Sequence, residues 1–235
     1  MNTQRVLLLT GSSRGIGLGI ARFFLDRGYI VCGCSRSESA ITAPDYHHRR
    51  LDVSDEKAVR GWVSATAKQF GRIDVAVCSA GVVKSALMMS VTPTAILDEF
   101  LATHVRGTFV VCREVSKVMI RQRAGRIINI SSLAVPLHLK GAAGYAASKA
   151  AVEEMTRVLA KELASTGVTC NIVGPALVMT DPAVAMGPEW AKWLVDQQSI
   201  QRTVGVEEVC NVIEFFASPA SSAVTGQTLN MCLVG

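Results

Sequence analysis

The chain has 235 residues, 49% of them hydrophobic and 18% charged, with 19 glycines and 7 prolines. This length and composition predict one globular α/β domain with a sizeable core, and they leave little room for a second domain or a disordered segment. The formal net charge of +5 comes without a long basic run, so nucleic-acid binding has weak support.

In chain order, short apolar runs alternate with longer segments of helical periodicity, which is typical of repeated βαβ units and a parallel sheet. We therefore predict a doubly wound, seven-stranded parallel sheet in a single domain over residues 1–235. The predicted strands are residues 5–10, 29–35, 46–50, 74–78, 125–131, 168–173 and 228–233. The predicted helices are residues 15–28, 54–70, 95–123, 144–166, 188–198 and 206–217. Only ten residues, Pro44 among them, separate the second and third strands, so a helix there must be short or absent.

Neither the apolar runs nor the cysteines indicate a membrane protein or a metal site. The run from Val6 to Leu9 is too short for a membrane span or a signal-peptide core, so we expect a cytoplasmic protein. The seven cysteines lie mostly in apolar segments and form no paired zinc-type array. Reduced packing thiols are therefore expected, rather than disulfides or metal ligands.

A glycine-rich turn, TGSSRGIG over residues 10–17, follows the first predicted strand and opens the first predicted helix. A helix N-terminus offers unpaired N–H groups and a partial positive charge, so such a turn can hold a pyrophosphate. Glycines permit the tight turn and a close approach of the ligand. A plain tight turn is the alternative, but the position between strand and helix favours a nucleotide site. The predicted cofactor-binding residues here are Gly11, Ser13, Arg14, Gly15, Ile16 and Gly17.

The end of the second strand indicates which cofactor is bound. An NAD site normally carries Asp or Glu there for the ribose 2′-hydroxyl, whereas a 2′-phosphate requires cations. Here Arg36 is flanked by Ser35 and Ser37, and Arg14 can reach the same region. The sequence therefore favours NADP(H), with a solvated loop cation at position 36 as the alternative.

Asp52 follows the third predicted strand, at the edge where parallel strands end. Its carboxylate could accept a hydrogen bond from the adenine amino group. Capping of the next helix is the other role open to it, although Ser54 is better placed for that.

Ser132, Tyr145 and Lys149 form the pattern S-x12-Y-x3-K near the middle of the chain. Tyr145 and Lys149 are four residues apart in a predicted helix, so both project from one face. A nearby ammonium favours the phenolate, so we expect Lys149 to lower the pKa of Tyr145 toward neutrality. Ser132 can donate a hydrogen bond to a substrate oxygen. A lone Y-x3-K pair is usually ordinary helix surface, but together with the glycine turn these residues indicate a redox enzyme.

With these motifs the chain resembles the short-chain dehydrogenase/reductase family over essentially its whole length. Residues 78–81 read CSAG where the family has NNAG, and residues 104–107 read HVRG where it usually has NxxG. Residues 171–180, NIVGPALVMT, are similar to its NxxxPGxVxT segment, and TGQ at 225–227 is similar to its approach to the last strand. Within the family, the chain is most similar to 3-oxoacyl-[acyl-carrier-protein] reductases. The implied fold is a single Rossmann-type domain.

The resemblance also implies roles for the motif residues. A hydride would pass between the nicotinamide and a carbonyl carbon, with Tyr145 giving or taking the proton of the carbonyl oxygen. Ser132 would orient that oxygen, and Lys149 would bind the nicotinamide ribose. The further cofactor-binding residues that it implies are Asp52, Val53, Ala80, Gly81, Tyr145, Lys149, Pro175, Val178 and Thr180.

Three departures from the family pattern stand out. Cys78 and Ser79 replace two asparagines, so the hydrogen bonds between the central strands must differ. Ala176 replaces a glycine, and His104 stands where the family has its fourth catalytic residue. We expect a neutral His104 that relays protons from Lys149 through a water or directly, with packing in its helix as the alternative.

The substrate pocket is expected to be apolar. Residues 133–143 and an insertion at residues 181–202 should form its walls and a lid. Packing on a neighbouring helix or at a subunit contact is the alternative for the insertion. Its large apolar residues are Met186, Trp190 and Trp193.

Two kinds of partner are expected. The resemblance implies a homodimer or homotetramer formed through the predicted helices 95–123 and 144–166. An acidic carrier protein could meet a basic patch near Ser132. The residues assigned to that patch are Arg121, Arg123 and Arg126.

We therefore expect an NADPH-dependent ketoreductase acting on the 3-oxo group of an acyl thioester, on an acyl carrier protein of fatty-acid or polyketide biosynthesis. A reductase of a free alcohol, sugar or steroid is the alternative among enzymes. A non-catalytic NADP-sensing or scaffold protein is the alternative of another class. Retention of Ser132, Tyr145 and Lys149 favours an enzyme.

Overall fold

The computed structural model describes residues 4–234, in which seven strands form one parallel sheet. The strands are β1 (Val6–Thr10), β2 (Ile30–Ser35), β3 (Tyr46–Arg50), β4 (Val75–Cys78), β5 (Gly125–Ile130), β6 (Val168–Gly174) and β7 (Thr228–Asn230). Their spatial order is β3-β2-β1-β4-β5-β6-β7, and each neighbouring pair is parallel. The predicted α/β fold class and the seven strands are confirmed, although β7 is shorter than predicted.

The helices that connect these strands also follow the prediction, with two differences. In the described residues they are α1 (Gly15–Leu25), α2 (Glu56–Phe70), α3 (Thr94–Phe100), α4 (Thr108–Gln122), α5 (Ala143–Leu163), α6 (Asp181–Ala185), α7 (Pro188–Asp196) and α8 (Val206–Ala217). A π-helical segment, Leu101–Gly107, joins α3 to α4, so the single helix predicted for residues 95–123 is irregular in its middle. The short helix α6 was not predicted. Residues 36–45 contain no helix, as their number and Pro44 suggested.

Helices cover the sheet on both faces, which is why the central strands β1, β2 and β4 are almost continuously apolar. In β1, Leu7 and Leu9 pack into one core cluster and Leu8 into the other. The first cluster is completed by α1 and α8, and the second by α2, α4 and α5. Burial of these two clusters supplies the main stabilisation of the fold.

The functional cleft follows from the strand order. After β3, at one edge of the sheet, the chain returns to the centre, where β4 pairs with the free side of β1. At such a switch point the connections leave neighbouring strands in opposite directions and open a crevice at the carboxyl ends. Within residues 4–234, no helix is long and apolar enough to cross a bilayer.

Candidate active site

A cleft of about 480 Å³ opens at the carboxyl edge of the sheet, beyond the ends of β1 and β4. It gathers residues from several separate stretches of the chain, as expected for a site at a switch point. Among the predicted site residues, only His104 lies outside its lining. Those that line it are Gly11, Ser13, Arg14, Gly15, Ile16, Gly17, Ser35, Arg36, Asp52, Val53, Ala80, Gly81, Ser132, Tyr145, Lys149, Pro175, Val178 and Thr180.

The glycine turn places the start of α1 against the ends of β1 and β4. Gly11 has a φ of +75°, and a Cβ there would lie 2.9 Å from backbone atoms of Ala80. A Cβ on Gly17 would lie 2.1 Å from the Gly11 carbonyl oxygen, so the helix packs directly on the turn. The N-cap residue of α1, Arg14, makes no side-chain cap. The first N–H groups of α1 are therefore available to a ligand, as a pyrophosphate site requires.

Thr10 also shapes this region, although the sequence pattern did not single it out. Its buried hydroxyl accepts hydrogen bonds from the backbone N–H groups of Ser79 and Ala80, each at 3.0 Å. These bonds tie the end of β1 to the segment after β4, where the chain departs from the family pattern. The signal in the sequence was a hydroxyl residue directly before the first glycine.

Two arginines stand where a 2′-phosphate would be held. Arg14 and Arg36 are exposed at the cleft, and within residues 4–234 neither forms an ion pair with a carboxylate. The hydroxyl of Ser35 is already engaged, because it donates to the Ser37 carbonyl oxygen at 2.7 Å and lies 2.8 Å from Nε2 of His48. Free cations and the absence of an acid at the end of β2 fit a phosphorylated ribose.

Asp52 lies at the cleft with one carboxylate oxygen already engaged. This Oδ1 accepts hydrogen bonds from the Ser54 backbone N–H at 2.9 Å and from the Ser54 hydroxyl at 2.8 Å. The N-cap of α2 is Asp55, whose side chain accepts from the Ala58 N–H at 3.0 Å. The expectation that Ser54 caps this helix is therefore wrong, because Ser54 is used to hold Asp52 instead.

Tyr145 and Lys149 project from the first turns of α5 toward the end of β5. Burial raises the pKa of Tyr145, and its hydrogen bond with Ser132 only partly offsets this effect. The expectation that Lys149 lowers the Tyr145 pKa is thus not met, because burial outweighs any such effect. The edge of the Tyr145 ring packs against Phe100, with ring centroids 5.6 Å apart.

Lys149 is buried below Tyr145, and its Nζ donates a hydrogen bond to the Ile130 carbonyl oxygen at 2.8 Å. Burial lowers the pKa of this ammonium to about 8. A lysine with such a pKa exchanges its proton readily near neutral pH, which suits a group at the inner end of a proton path.

His104 lies in the π-helical segment, behind the cleft, and is 1% exposed. Its Nε2 accepts from the Val82 backbone N–H at 3.0 Å, and its Nδ1 lies 2.8 Å from the hydroxyl of Ser148. Burial, with a smaller effect of the Lys149 ammonium, lowers the His104 pKa to about 3. The ring is thus neutral, but both nitrogens are already bonded to protein groups. This geometry favours the packing alternative over a relay through the ring.

The apolar walls come from both sides of the cleft mouth. Leu139 faces it from the loop after β5, Met186 from the end of α6, and Trp190 and Trp193 from α7, as expected. The segment of residues 82–87 forms the opposite wall, which the sequence did not indicate because its residues show no periodicity. The two walls meet where the Leu87 N–H donates to the Gly141 carbonyl oxygen at 3.1 Å.

The basic patch expected near Ser132 is not there. Arg126 lies at the amino end of β5, whereas Ser132 follows its carboxyl end, so the two are at opposite edges of the sheet. The Arg126 side chain is 9% exposed and donates to the carbonyl oxygens of Gly125 and Gly167, at 2.8 and 3.3 Å. It therefore holds the start of β5 and does not face the cleft.

Comparisons with known proteins agree with this fold. A family model described as "Enoyl-(Acyl carrier protein) reductase" matches residues 11–232. A solved structure of ElxO with NADP bound superposes with a TM-score of 0.91 at 26% identity, covering 97% of both chains. A short-chain type dehydrogenase/reductase from Mycobacterium ulcerans gives a TM-score of 0.90 at 26% identity, covering 98% of this chain and 90% of its own.

Curated relatives are similar over nearly the same length. The 3-oxoacyl-[acyl-carrier-protein] reductase FabG of Vibrio cholerae serotype O1 is 34% identical over 238 residues, 98% of this chain and 97% of its own. The protein of the same name from Escherichia coli strain K12 is 31% identical over 233 residues, 97% of this chain and 95% of its own. Sequence, fold and cleft geometry agree, and the chain belongs to the short-chain dehydrogenase/reductase family.

Proposed function

We propose that this protein is an NADPH-dependent ketoreductase that reduces the 3-oxo group of an acyl thioester, presented by an acyl carrier protein in fatty-acid or polyketide biosynthesis. The observation that carries the proposal is that Ser132, Tyr145 and Lys149 line the same cleft as the glycine turn. The names of the FabG relatives supply the substrate class, and the ElxO structure with NADP supports the cofactor. A cytoplasmic location fits this role.

The chain's own residues fit NADP(H). The uncapped start of α1 would hold the pyrophosphate, and Arg14 and Arg36 would bind the 2′-phosphate. Asp52 and Val53 would flank the adenine, Ala80 and Gly81 would line the cofactor channel after β4, and Lys149 would bind the nicotinamide ribose. At the other end of the cleft, Pro175, Val178 and Thr180 would position the nicotinamide. When bound, the cofactor supplies the hydride that the protein itself lacks.

The side chains around the carbonyl have distinct tasks. Ser132 donates a hydrogen bond to the carbonyl oxygen and so fixes the substrate beside Tyr145. Tyr145 then gives its phenolic proton to the oxygen as negative charge develops there. Its raised pKa keeps this proton in place until it is needed. Lys149 stabilises the resulting phenolate and is the nearest buried cation from which a proton can be returned.

A carrier-borne substrate would approach the mouth of the cleft. The cations there are Lys84, which pairs with Glu99 at 2.7 Å, and the exposed Lys140. We assign electrostatic steering of an acidic carrier to these lysines instead of Arg126. Lys140→Gln should therefore reduce the salt dependence of kcat/KM for a carrier-bound substrate, but not for its N-acetylcysteamine analogue.

Self-association through α4 and α5 is part of the proposal. Both helices expose large apolar side chains, among them Phe109 at 52% and Val158 at 47%. An exposed apolar patch of this kind is typical of a subunit contact. Light scattering after size-exclusion chromatography should give a dimer or tetramer, and Phe109→Glu should shift it toward the monomer.

The decisive experiment is a substrate panel with NADPH or NADH. It should include 3-oxoacyl and 2-enoyl thioesters on a carrier protein and on N-acetylcysteamine, together with free ketones, sugars and steroids. We expect the 3-oxoacyl thioesters with NADPH to give the highest kcat/KM. Preference for a 2-enoyl thioester or a free ketone would overturn the substrate class. NADPH binding without turnover on any member would instead favour the sensor alternative.

A further inference from the structure

Helix α5 is joined to β5 by a ladder of polar contacts that starts at the cleft. At the top, the Ser132 hydroxyl lies beside the Tyr145 phenol and partly offsets the rise of its pKa on burial. One helical turn further along, Lys149 Nζ donates to the Ile130 carbonyl oxygen at 2.8 Å. Both rungs belong to the proposed active site. Two more rungs follow along the same face of α5.

The third rung is formed by Glu153, one turn beyond Lys149. Its Oε1 accepts a hydrogen bond from the Ser131 hydroxyl at 2.6 Å, and its Oε2 accepts from Arg157 at 2.9 Å. Arg157 also donates to the hydroxyl of Thr228 in β7, at 3.2 Å. The carboxylate is buried, with 5% of the residue exposed. Both of its oxygens are therefore satisfied within the protein.

The fourth rung is formed by two residues that do not line the cleft, Asn129 and Thr156. Nδ2 of Asn129 donates to the Thr156 hydroxyl at 2.8 Å, and that hydroxyl donates to the Val152 carbonyl oxygen at 2.6 Å. Like the third rung, it is a buried side-chain hydrogen bond between β5 and α5. It lies one helical turn further from Tyr145 than Glu153 does.

A buried carboxylate at this place has to be explained, because burying a charge is costly and an apolar side chain could fill the space. Ser131, its partner, directly precedes Ser132 in the chain. A bond that fixes Ser131 against α5 therefore also fixes the backbone from which Ser132 reaches Tyr145. Buried polar and charged groups are best attested as devices that set the register between elements.

We propose that Glu153 is a positioning residue, which holds Ser131 against α5 and thereby keeps the Ser132 hydroxyl in place beside Tyr145. This inference rests on the proposed function for its catalytic readout. Loss of the rung lets the end of β5 move relative to α5. The reacting carbonyl is then held less accurately, while the glycine turn and the arginines that would bind the phosphates of the cofactor are unaffected.

The test compares Ser131→Ala with Thr156→Val, which removes the equivalent hydrogen bond of the fourth rung. Ser131→Ala should lower kcat by about tenfold or more, with KM and the NADPH Kd little changed. Thr156→Val should lower thermal stability but keep the parent kcat. Glu153→Gln retains an oxygen that can accept from Ser131, so it should preserve more of kcat than Glu153→Leu does.

The proposal would be overturned if Ser131→Ala kept the kcat of the parent. It would also be overturned if Thr156→Val lost as much kcat as Ser131→Ala does. If Glu153→Leu does not fold, the serine and threonine variants still decide the matter. Crystal structures of these two variants give a readout that needs no substrate. The contact between Ser132 Oγ and Tyr145 Oη should be lost in Ser131→Ala only. If the unmodified protein reduces no member of the substrate panel, the proposed function fails. The comparison of the two crystal structures then tests the role of Glu153 by itself.

Discussion

Replacement of Gly17 by alanine should weaken cofactor binding strongly while it lowers the stability of the fold only modestly. A Cβ at this position would lie 2.1 Å from the Gly11 carbonyl oxygen, whereas real Cβ atoms essentially never approach another atom closer than 3.0 Å. The start of α1 must therefore move away from the turn by roughly 1 Å. That movement displaces the N–H groups proposed to bind the pyrophosphate.

The effects on folding and on binding differ in size. Alanine gains about 1 kcal/mol over glycine in helix propensity, while overpacking costs about 1–3 kcal/mol. The net loss in the free energy of unfolding is then no more than about 2 kcal/mol, a decrease in Tm of at most about 8 °C. Each hydrogen bond lost to a charged phosphate costs about 1.5–3 kcal/mol. The NADPH Kd should therefore rise about tenfold to a hundredfold.

The assay is a fluorescence titration with NADPH, accompanied by thermal unfolding. Gly61→Ala is the matched control, because Gly61 is exposed in α2 and an added Cβ would meet no atom within 4 Å. This variant should be stabilised by about 0.5–1 kcal/mol and bind NADPH as the parent does. If Gly17→Ala also binds with the parent Kd, the assignment of the turn to the pyrophosphate is refuted.

Three further predictions concern catalysis, cofactor choice and pH. Tyr145→Phe should lower kcat by about 100-fold or more with little change in the NADPH Kd, and parent-like turnover would exclude Tyr145 as the acid. Arg36→Asp should shift the ratio of kcat/KM values from NADPH toward NADH, because it replaces a phosphate-binding cation by a ribose-binding acid. A parent enzyme that already prefers NADH would contradict this assignment. The pKa of His104 is lowered to about 3 by burial, so below its ordinary value of 6.5 the unfolded chain binds more protons than the folded one. The free energy of unfolding should thus fall as the pH drops through this range, and it should fall less steeply in His104→Asn. Urea unfolding at several pH values measures both slopes. Equal slopes of the free energy against pH would count against a buried neutral ring.

The sheet and the glycine turn were predictable because their signals are local. Apolar runs of strand length, separated by helical segments, are sufficient to define the βαβ units. The same holds for Tyr145 and Lys149, whose spacing in one helix places them on a common face. Each of these patterns lies within one element or at the junction of two.

The missed features depend on elements that are distant in the sequence. The raised pKa of Tyr145 results from burial, which helix spacing alone does not show. The partners of His104 are Val82 and Ser148, which belong to other segments. The basic patch was predicted in the wrong place for a simpler reason. Arg126 and Ser132 are separated by six residues of extended chain, which span about 20 Å.

The hydrogen bond between Leu87 and Gly141 has a consequence for how substrate range can change. It joins the two loops that border the entrance, and a Cβ on Gly141 would lie 3.0 Å from the Ala86 side chain. Neither loop can therefore widen the entrance alone. Variants selected for bulkier substrates should carry paired changes, one in residues 82–87 and one in residues 139–143, and single changes in either loop should gain little.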